Sequence, residues 1–256
     1  MTDYVDIDTA RQAAGLRLVL TRMPGAPWTE AAKAVLDVKG IPYLRVAQQA
    51  GVTDAALESW TGCVNAPVAV HEDERPRDGW LEILLLAERL APAPALVPTD
   101  AEDRVRMLGL AGELLSEDGL VWNRRLIMFD QALREDSALA GFAQLRARDY
   151  GFTPEAARRA PARSVEILEL LDRQLAARQA GGSNFLVGDA LTALDLYWAC
   201  ACAIVEPLSP ELCPMPEMVR RSYESAPDEV RAALTPALRA HRDRIYRDWL
   251  QLPIDT

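Results

Sequence analysis

Residues 182–198 read GSNFLVGDALTALDLYW, and their reading decides the fold. Residues 184–187 make an extended approach and Gly188-Asp189 a tight turn. Thr192 then stands where a helix N-cap is expected, with Asp195 three residues on. Each of these side chains can accept a backbone N–H that the first helical turn leaves unpaired, the reciprocal arrangement of a capping box. Leu191 before the cap and Leu196 at the fourth helical position supply the matching hydrophobic staple. Behind them residues 196–205, LYWACACAIV, are apolar on every side. The pattern predicts a helix buried all round, a post for the core rather than a surface element.

Working outward, the chain has 256 residues, 50% of them hydrophobic and 26% charged, as in ordinary globular proteins. The net charge of −10 is shared evenly between the two halves and argues against nucleic acid or an anionic membrane as partner. The amino end is acidic and polar, with no basic-then-apolar pattern of a signal peptide, and the longest apolar run falls well short of the roughly 20 residues a membrane span needs. A cytoplasmic location is therefore expected. Cys63, Cys200, Cys202 and Cys213 form no disulfide-like framework, and with His71 and His241 as the only histidines, zinc is not expected.

Towards the amino end, residues 16–20 (LRLVL) read as a strand and residues 21–27 (TRMPGAP) as a breaker-rich loop. Pro27 suits the first position of a helix, where its missing N–H is no loss. Trp28, Ala32, Val35 and Leu36 recur at helical spacing until Gly40. Residues 41–46 (IPYLRV) give a second strand, residues 54–60 a polar helix, and a short third strand follows Pro67. Residues 71–78 form a charged turn with room for a small fourth strand around Arg75 to Arg77. Residues 79–90 (GWLEILLLAERL) are an amphipathic helix that runs into a proline-rich linker. The order βαβ, helix, ββα predicts a four-stranded mixed sheet flanked by helices, a thioredoxin-like domain. After Asp100 the chain reads as all helix. One long segment over 101–133 is bent or broken near Glu117-Asp118-Gly119, and a less regular stretch covers 134–152. A helix opens at Thr153-Pro154-Glu155 and ends at Gly181-Gly182. After the buried helix and a proline-studded connection, two more helical pieces fill 217–250, breaking around Pro227, with Pro236 as a further candidate break.

The phrase LVGDALTALDLYW resembles the capping box and buried helix in the all-α half of the glutathione S-transferase superfamily. RLVLTRMPGAPWTEAAKAVLDVKGIPYLRV is similar to the opening βαβ of that family, NAPVAV to its cis-proline turn, and DGWLEILLLAERLAP to its third helix. The resemblance covers nearly the whole chain from Leu16 onward. It implies an α+β architecture: an extension over 1–15, a thioredoxin-like domain over 16–93, a linker over 94–98 and an all-α domain over 99–252.

It also implies glutathione as co-substrate, a small, largely apolar electrophile as the second substrate, and a homodimer. Glutathione would lie against the start of the first long helix (Ala26, Pro27, Trp28), pairing its cysteinyl backbone with Ala66 beside Pro67. Its γ-glutamyl end would meet Asp78, Gly79 and Trp80. Two positions depart from the family pattern. Ala26 stands where many members place a thiol-activating Ser or Cys, and Gly79 where a Ser usually follows the acidic residue. Thr21, Arg22 and Thr29 remain as candidate donors to the sulfur, together with the Trp28 N–H. Each of these residues also has a purely structural reading: Pro67 as a turn, Trp28 as core packing, Asp78 as a helix cap. In the family the second substrate sits between the domains, and Trp122, Arg124 and Arg125 are the candidates for its wall. Adjacent arginines diverge by about 100° on a helix, so at most one can face the cleft. An arginine there would favour an acidic substrate or the glutathione carboxylates, the alternative being a surface cation packed along its stem. Tyr150 and Phe152 are placed to close such a pocket. Cys63 reads as a structural thiol rather than a nucleophile. The leading function is glutathione transfer. The alternatives are a transferase-like protein that binds a ligand or protein without turnover, or a specialised glutathione-dependent lyase or isomerase.

Overall fold

Alternation in the first strand sets the sheet. In β1 (Leu16–Thr21) the side chains of Leu16, Leu18 and Leu20 enter one core and Val19 another, as a two-residue period requires. β2 (Leu44–Gln48) pairs with β1 in parallel and β3 (Val68–His71) antiparallel, in the order β2-β1-β3, so that Val19 lies between Val46 and Val68. The structure, a computed structural model, describes residues 4–49, 51–52, 54–135 and 139–255. The second strand begins only at Leu44, beyond Pro42, which has no N–H to give a ladder. The expected fourth strand is reduced to a single bridge, Ala69 and Arg77 exchanging N–H to O bonds of 2.8 and 2.9 Å. On one side the Glu74 N–H donates to the His71 carbonyl at 2.9 Å to close a turn, and on the other Pro67 has no N–H to offer the next rung. Among the described residues the mixed sheet therefore has three strands rather than four.

Before the sheet, Val5 bonds the free edge of β2, its N–H reaching the Arg45 carbonyl at 3.0 Å and its carbonyl taking the Ala47 N–H at 3.0 Å. α1 (Ile7–Gln12), capped by Asp6, then buries Ile7 and Ala10 against Val46 and Leu57. This extension, whose role the sequence did not disclose, covers an edge that would otherwise offer unpaired backbone groups. α2 (Pro27–Val38), α3 (Ala55–Thr61) and α4 (Trp80–Leu90) complete the thioredoxin-like half.

The remainder is helical. α5 (Ala101–Leu115) and α6 (Leu120–Arg134) are the long segment, separated where expected. Asp118 adopts a positive φ of 61° and a Cβ on Gly119 would lie 2.8 Å from the Ser116 carbonyl oxygen, so the chain turns there. The stretch read as irregular is more ordered than anticipated: α7 (Ala140–Arg146) runs into a 3-10 turn, Ala147–Tyr150. α8 (Pro154–Ala180) is followed by α9 (Ala193–Cys202), α10 (Glu217–Glu224), α11 (Asp228–Ala233) and α12 (Pro236–Trp249). The carboxyl-terminal part thus holds three helices instead of two, because Pro227 and Thr235-Pro236 each start a new one.

α9 is the post that the sequence announced. All ten of its residues are buried, and it packs against α2, α5 and α12. The capping box forms. Asp195 accepts the N–H and the hydroxyl of Thr192, each at 2.9 Å, and also the Leu186 N–H at 2.9 Å and His241 Nε2 at 3.0 Å. A carboxylate this deep is tolerated because its oxygens are paired.

Candidate functional site

The site begins at the uncapped start of α2. Gly25 makes the turn with φ of 75°, and a Cβ there would stand 2.9 Å from both Cys213 Sγ and Met215 Cε, so a larger residue does not fit. Ala26 holds the extended backbone of an N-cap, but its methyl group accepts nothing. Pro27 has no N–H, and the N–H groups of Trp28 and Thr29 find no acceptor among the described residues. Two free donors and the positive end of the helix dipole are thus presented together.

Ala26, Trp28 and Thr29 line a cavity of about 260 Å³, whose other walls come from β1 (Thr21), from Asn65 and Ala66, from α6 and α7, and from α10. The Ala66 N–H and carbonyl make no hydrogen bond within the described chain, and the Ala66–Pro67 peptide is cis. The strand end is therefore free to pair with an extended peptide.

The candidate sulfur donors separate by their partners. The Thr21 hydroxyl reaches Gln48 Oε1 at 3.3 Å, which commits its proton. Thr29 Oγ1 accepts the Thr21 N–H at 3.3 Å and is 97% buried by residue, leaving its own proton free to be donated. Arg22 lies elsewhere: it follows Thr21 in an extended chain, turns to the opposite side and stacks over Tyr4 at 5.6 Å.

Pro67, Asp78 and Trp80 surround a second, far smaller hollow of about 10 Å³, adjoining Trp28 and Tyr197. Two indoles occupy the space. Trp80 Nε1 donates to Ser116 Oγ at 3.0 Å and its ring meets Tyr197 edge-on at 5.7 Å; Trp28 Nε1 donates to the Leu115 carbonyl at 2.8 Å. Gly79 is the N-cap of α4 and supplies no side-chain bond. Asp78 faces the Cys63 thiol, whose pKa is raised by burial first and by this carboxylate in part. Cys63 is thus held as a thiol, which fits the structural reading.

On the helical wall the two arginines diverge as the helix requires. Arg124 is fully buried away from the cavity, Nε donating to the Ile204 carbonyl at 3.1 Å just beyond the carboxyl end of α9. Burial pushes its guanidinium down to about 10, with Arg125 adding to the effect. Arg125 is the one that lines the cavity. Trp122 does not; it backs Tyr150 at 4.7 Å between ring centroids, and Tyr150 forms the wall. Phe152 packs behind the same wall without lining the cavity. Arg146, Met128, Phe129, Phe142 and Tyr223 also line it and were not singled out from the sequence. Nothing local marks them, since α7 and α10 meet α6 only in the folded chain. Among the described residues there is no group of His, Cys, Asp and Glu that could hold a metal, and no helix is long and apolar enough to cross a membrane.

No family model and no curated protein sequence matches the chain. Solved structures do. A glutathione S-transferase from Xanthobacter autotrophicus Py2 superposes with a TM-score of 0.59 at 18% identity, over 93% of this chain and 96% of that one. One from Methylobacterium radiotolerans JCM 2831, in complex with glutathione sulfonate, gives 0.59 at 17% identity over 92% of each. Ure2p in complex with glutathione gives 0.57 at 16% identity, over 89% of this chain and 98% of Ure2p. The chain carries the glutathione S-transferase fold, a thioredoxin-like unit with a small mixed sheet followed by an all-α unit.

Proposed function

We propose that this chain is a glutathione S-transferase-like protein that lays glutathione along Ala66 and directs its sulfur at the first turn of α2. The second substrate is a small electrophile with a largely apolar body, held in the cavity. The observation that carries this reading is the pair of free N–H groups of Trp28 and Thr29 opening beside the unpaired Ala66 backbone. Such donors stabilise a thiolate where it must form, and the shared cavity brings the two reactants together. Thr29 is the best-placed hydroxyl to donate to the sulfur, and Asp78 is the group for the γ-glutamyl ammonium. Residues 16–93 form the glutathione side and residues 99–252 the facing wall, joined through 94–98. A cytoplasmic homodimer is part of the same reading, and size-exclusion chromatography with light scattering tests the assembly.

The decisive experiment is retention on immobilised glutathione followed by thiol consumption with an aryl halide. Retention with turnover is expected. The isosteric Thr29→Val change is expected to lower kcat/KM by about 10- to 100-fold with little loss of retention. A variant with unchanged kinetics removes Thr29 from the mechanism.

One observation favours a second reading. The hollow by Pro67, Asp78 and Trp80 holds only about 10 Å³, so the γ-glutamyl end has little room unless Trp80 moves. A transferase-fold protein that binds a ligand in the larger cavity without turnover fits that closure. Ligand binding with no glutathione retention is its signature.

A further inference from the structure

The cavity has a charge that neither its size nor its apolar walls require. None of the described residues lining it is acidic, in a chain whose net charge is −10, yet two arginines do line it. Arg146 is paired at its rim with Asp149 at 3.3 Å. Among the described residues Arg125 has no carboxylate partner. It is 91% buried by residue, and a single hydrogen bond from Nη2 to the Tyr223 hydroxyl, at 3.2 Å, uses one of its donors. Nε is buried with no partner, and Nη1 makes no hydrogen bond among the described residues. The guanidinium also lies over the Tyr223 ring at 5.6 Å, which fixes its plane without satisfying its donors. Neighbouring Arg124 adds a second positive charge and likewise has no carboxylate within bonding distance among the described residues.

A buried cation with most of its donors unused is costly unless a ligand completes it. The planar fork of a guanidinium matches a carboxylate, and Met128, Phe129 and Phe142 give the same cavity an apolar wall. We propose that the cavity binds a small organic acid, its carboxylate on Arg125 and its hydrocarbon or aryl body against Met128, Phe129 and Phe142. Arg146 contributes a favourable potential from the α7 side. That this acid is the second substrate rests on the glutathione reading above; that it binds does not.

The test uses the full chain and two probes of the same shape, trans-cinnamate and the uncharged cinnamamide, titrated calorimetrically in the absence of glutathione. Cinnamate is expected to bind about tenfold more tightly or better. Arg125→Met is expected to bring the two affinities together while cinnamamide binding persists, and Arg146→Gln to reduce the preference by a smaller factor. Equal affinities in the unmodified chain overturn the proposal without any variant, so a folding defect in Arg125→Met does not protect it. A preference that survives in folded Arg125→Met overturns it as well. Preference for the acid without retention on immobilised glutathione upholds the carboxylate site and removes the glutathione reading. Retention without preference does the reverse.

Discussion

Asp195 and Arg125 are both buried charges on helices of the all-α half, and the chain treats them in opposite ways. Asp195 accepts four hydrogen bonds, closing the capping box and tying α9 to the approach loop and to α12 through His241. Nothing remains for a ligand to do there. Arg125 gives one hydrogen bond to a tyrosine and faces an open cavity. The difference teaches how to tell a structural charge from a working one: burial is common to both, and completeness of pairing separates them.

The largest effect is expected at the completed end of this comparison. Asp195→Ala strands the Leu186 and Thr192 N–H groups and His241 in the core, at a cost of about 3–5 kcal/mol. Chemical denaturation measures it, and a loss under 1 kcal/mol would erase the contrast. Arg124 comes next. It is as buried as Asp195 and gives two hydrogen bonds, to the carbonyls of Ile204 and Tyr223, with Nη1 left unpaired, so it stands between the two extremes in pairing, and Arg124→Ala is expected to cost about 2–4 kcal/mol. Arg125→Ala, one residue on, should cost about 1 kcal/mol or less while removing anion binding. Equal destabilisation by the two arginine variants breaks the distinction.

A half-exposed case lies between the extremes. Asp255 bonds Lys33 Nζ at 2.6 Å and Arg45, holding the last described residues against α2. Burial acts to raise its carboxyl, but the two cations together keep it below the ordinary value. A carboxyl lowered in the folded state adds stability that is complete above the unfolded pKa, about 4, and is lost as the pH falls through the folded one. After allowance for solvent screening, Asp255→Asn is expected to cost about 1 kcal/mol at neutral pH. The gap between variant and parent should start to narrow only below about pH 4 and close once the pH is under the folded pKa, and a gap that persists at the acid end of the range argues against the ion pair. The smallest effect is a gain. Ala26→Ser places a cap on the bare start of α2 and should add about 0.5–1 kcal/mol, read as a higher Tm. If glutathione sits as proposed, the same hydroxyl should also raise turnover.

What the sequence disclosed follows from distance along the chain. The capping box, the Pro27 start, the break at Asp118-Gly119 and the divergence of Arg124 from Arg125 are all settled within a few residues. Each was readable. Arg146, Phe142 and Tyr223 reach the cavity only because α7 and α10 close against α6, and no local pattern encodes that approach. Arg22 shows the converse error: it is adjacent to Thr21 in sequence, but extended backbone sends alternate side chains to opposite sides. The fourth strand failed for a backbone reason, since the turn from His71 to Glu74 closes one end of the bridge and Pro67 lacks the N–H for the rung at the other. Trp122 was right in helix and wrong in face, backing the wall rather than forming it.

Trp28 joins two of these regions, with its ring in the cavity wall and its Nε1 held by the Leu115 carbonyl. An indole so placed is an optical sensor already installed. Occupancy of the cavity would alter the polarity around its ring while the N–H stays anchored, so emission intensity and wavelength can be followed during titration without a label. A Trp28→Phe chain supplies the matching blank against the other five tryptophans of the six.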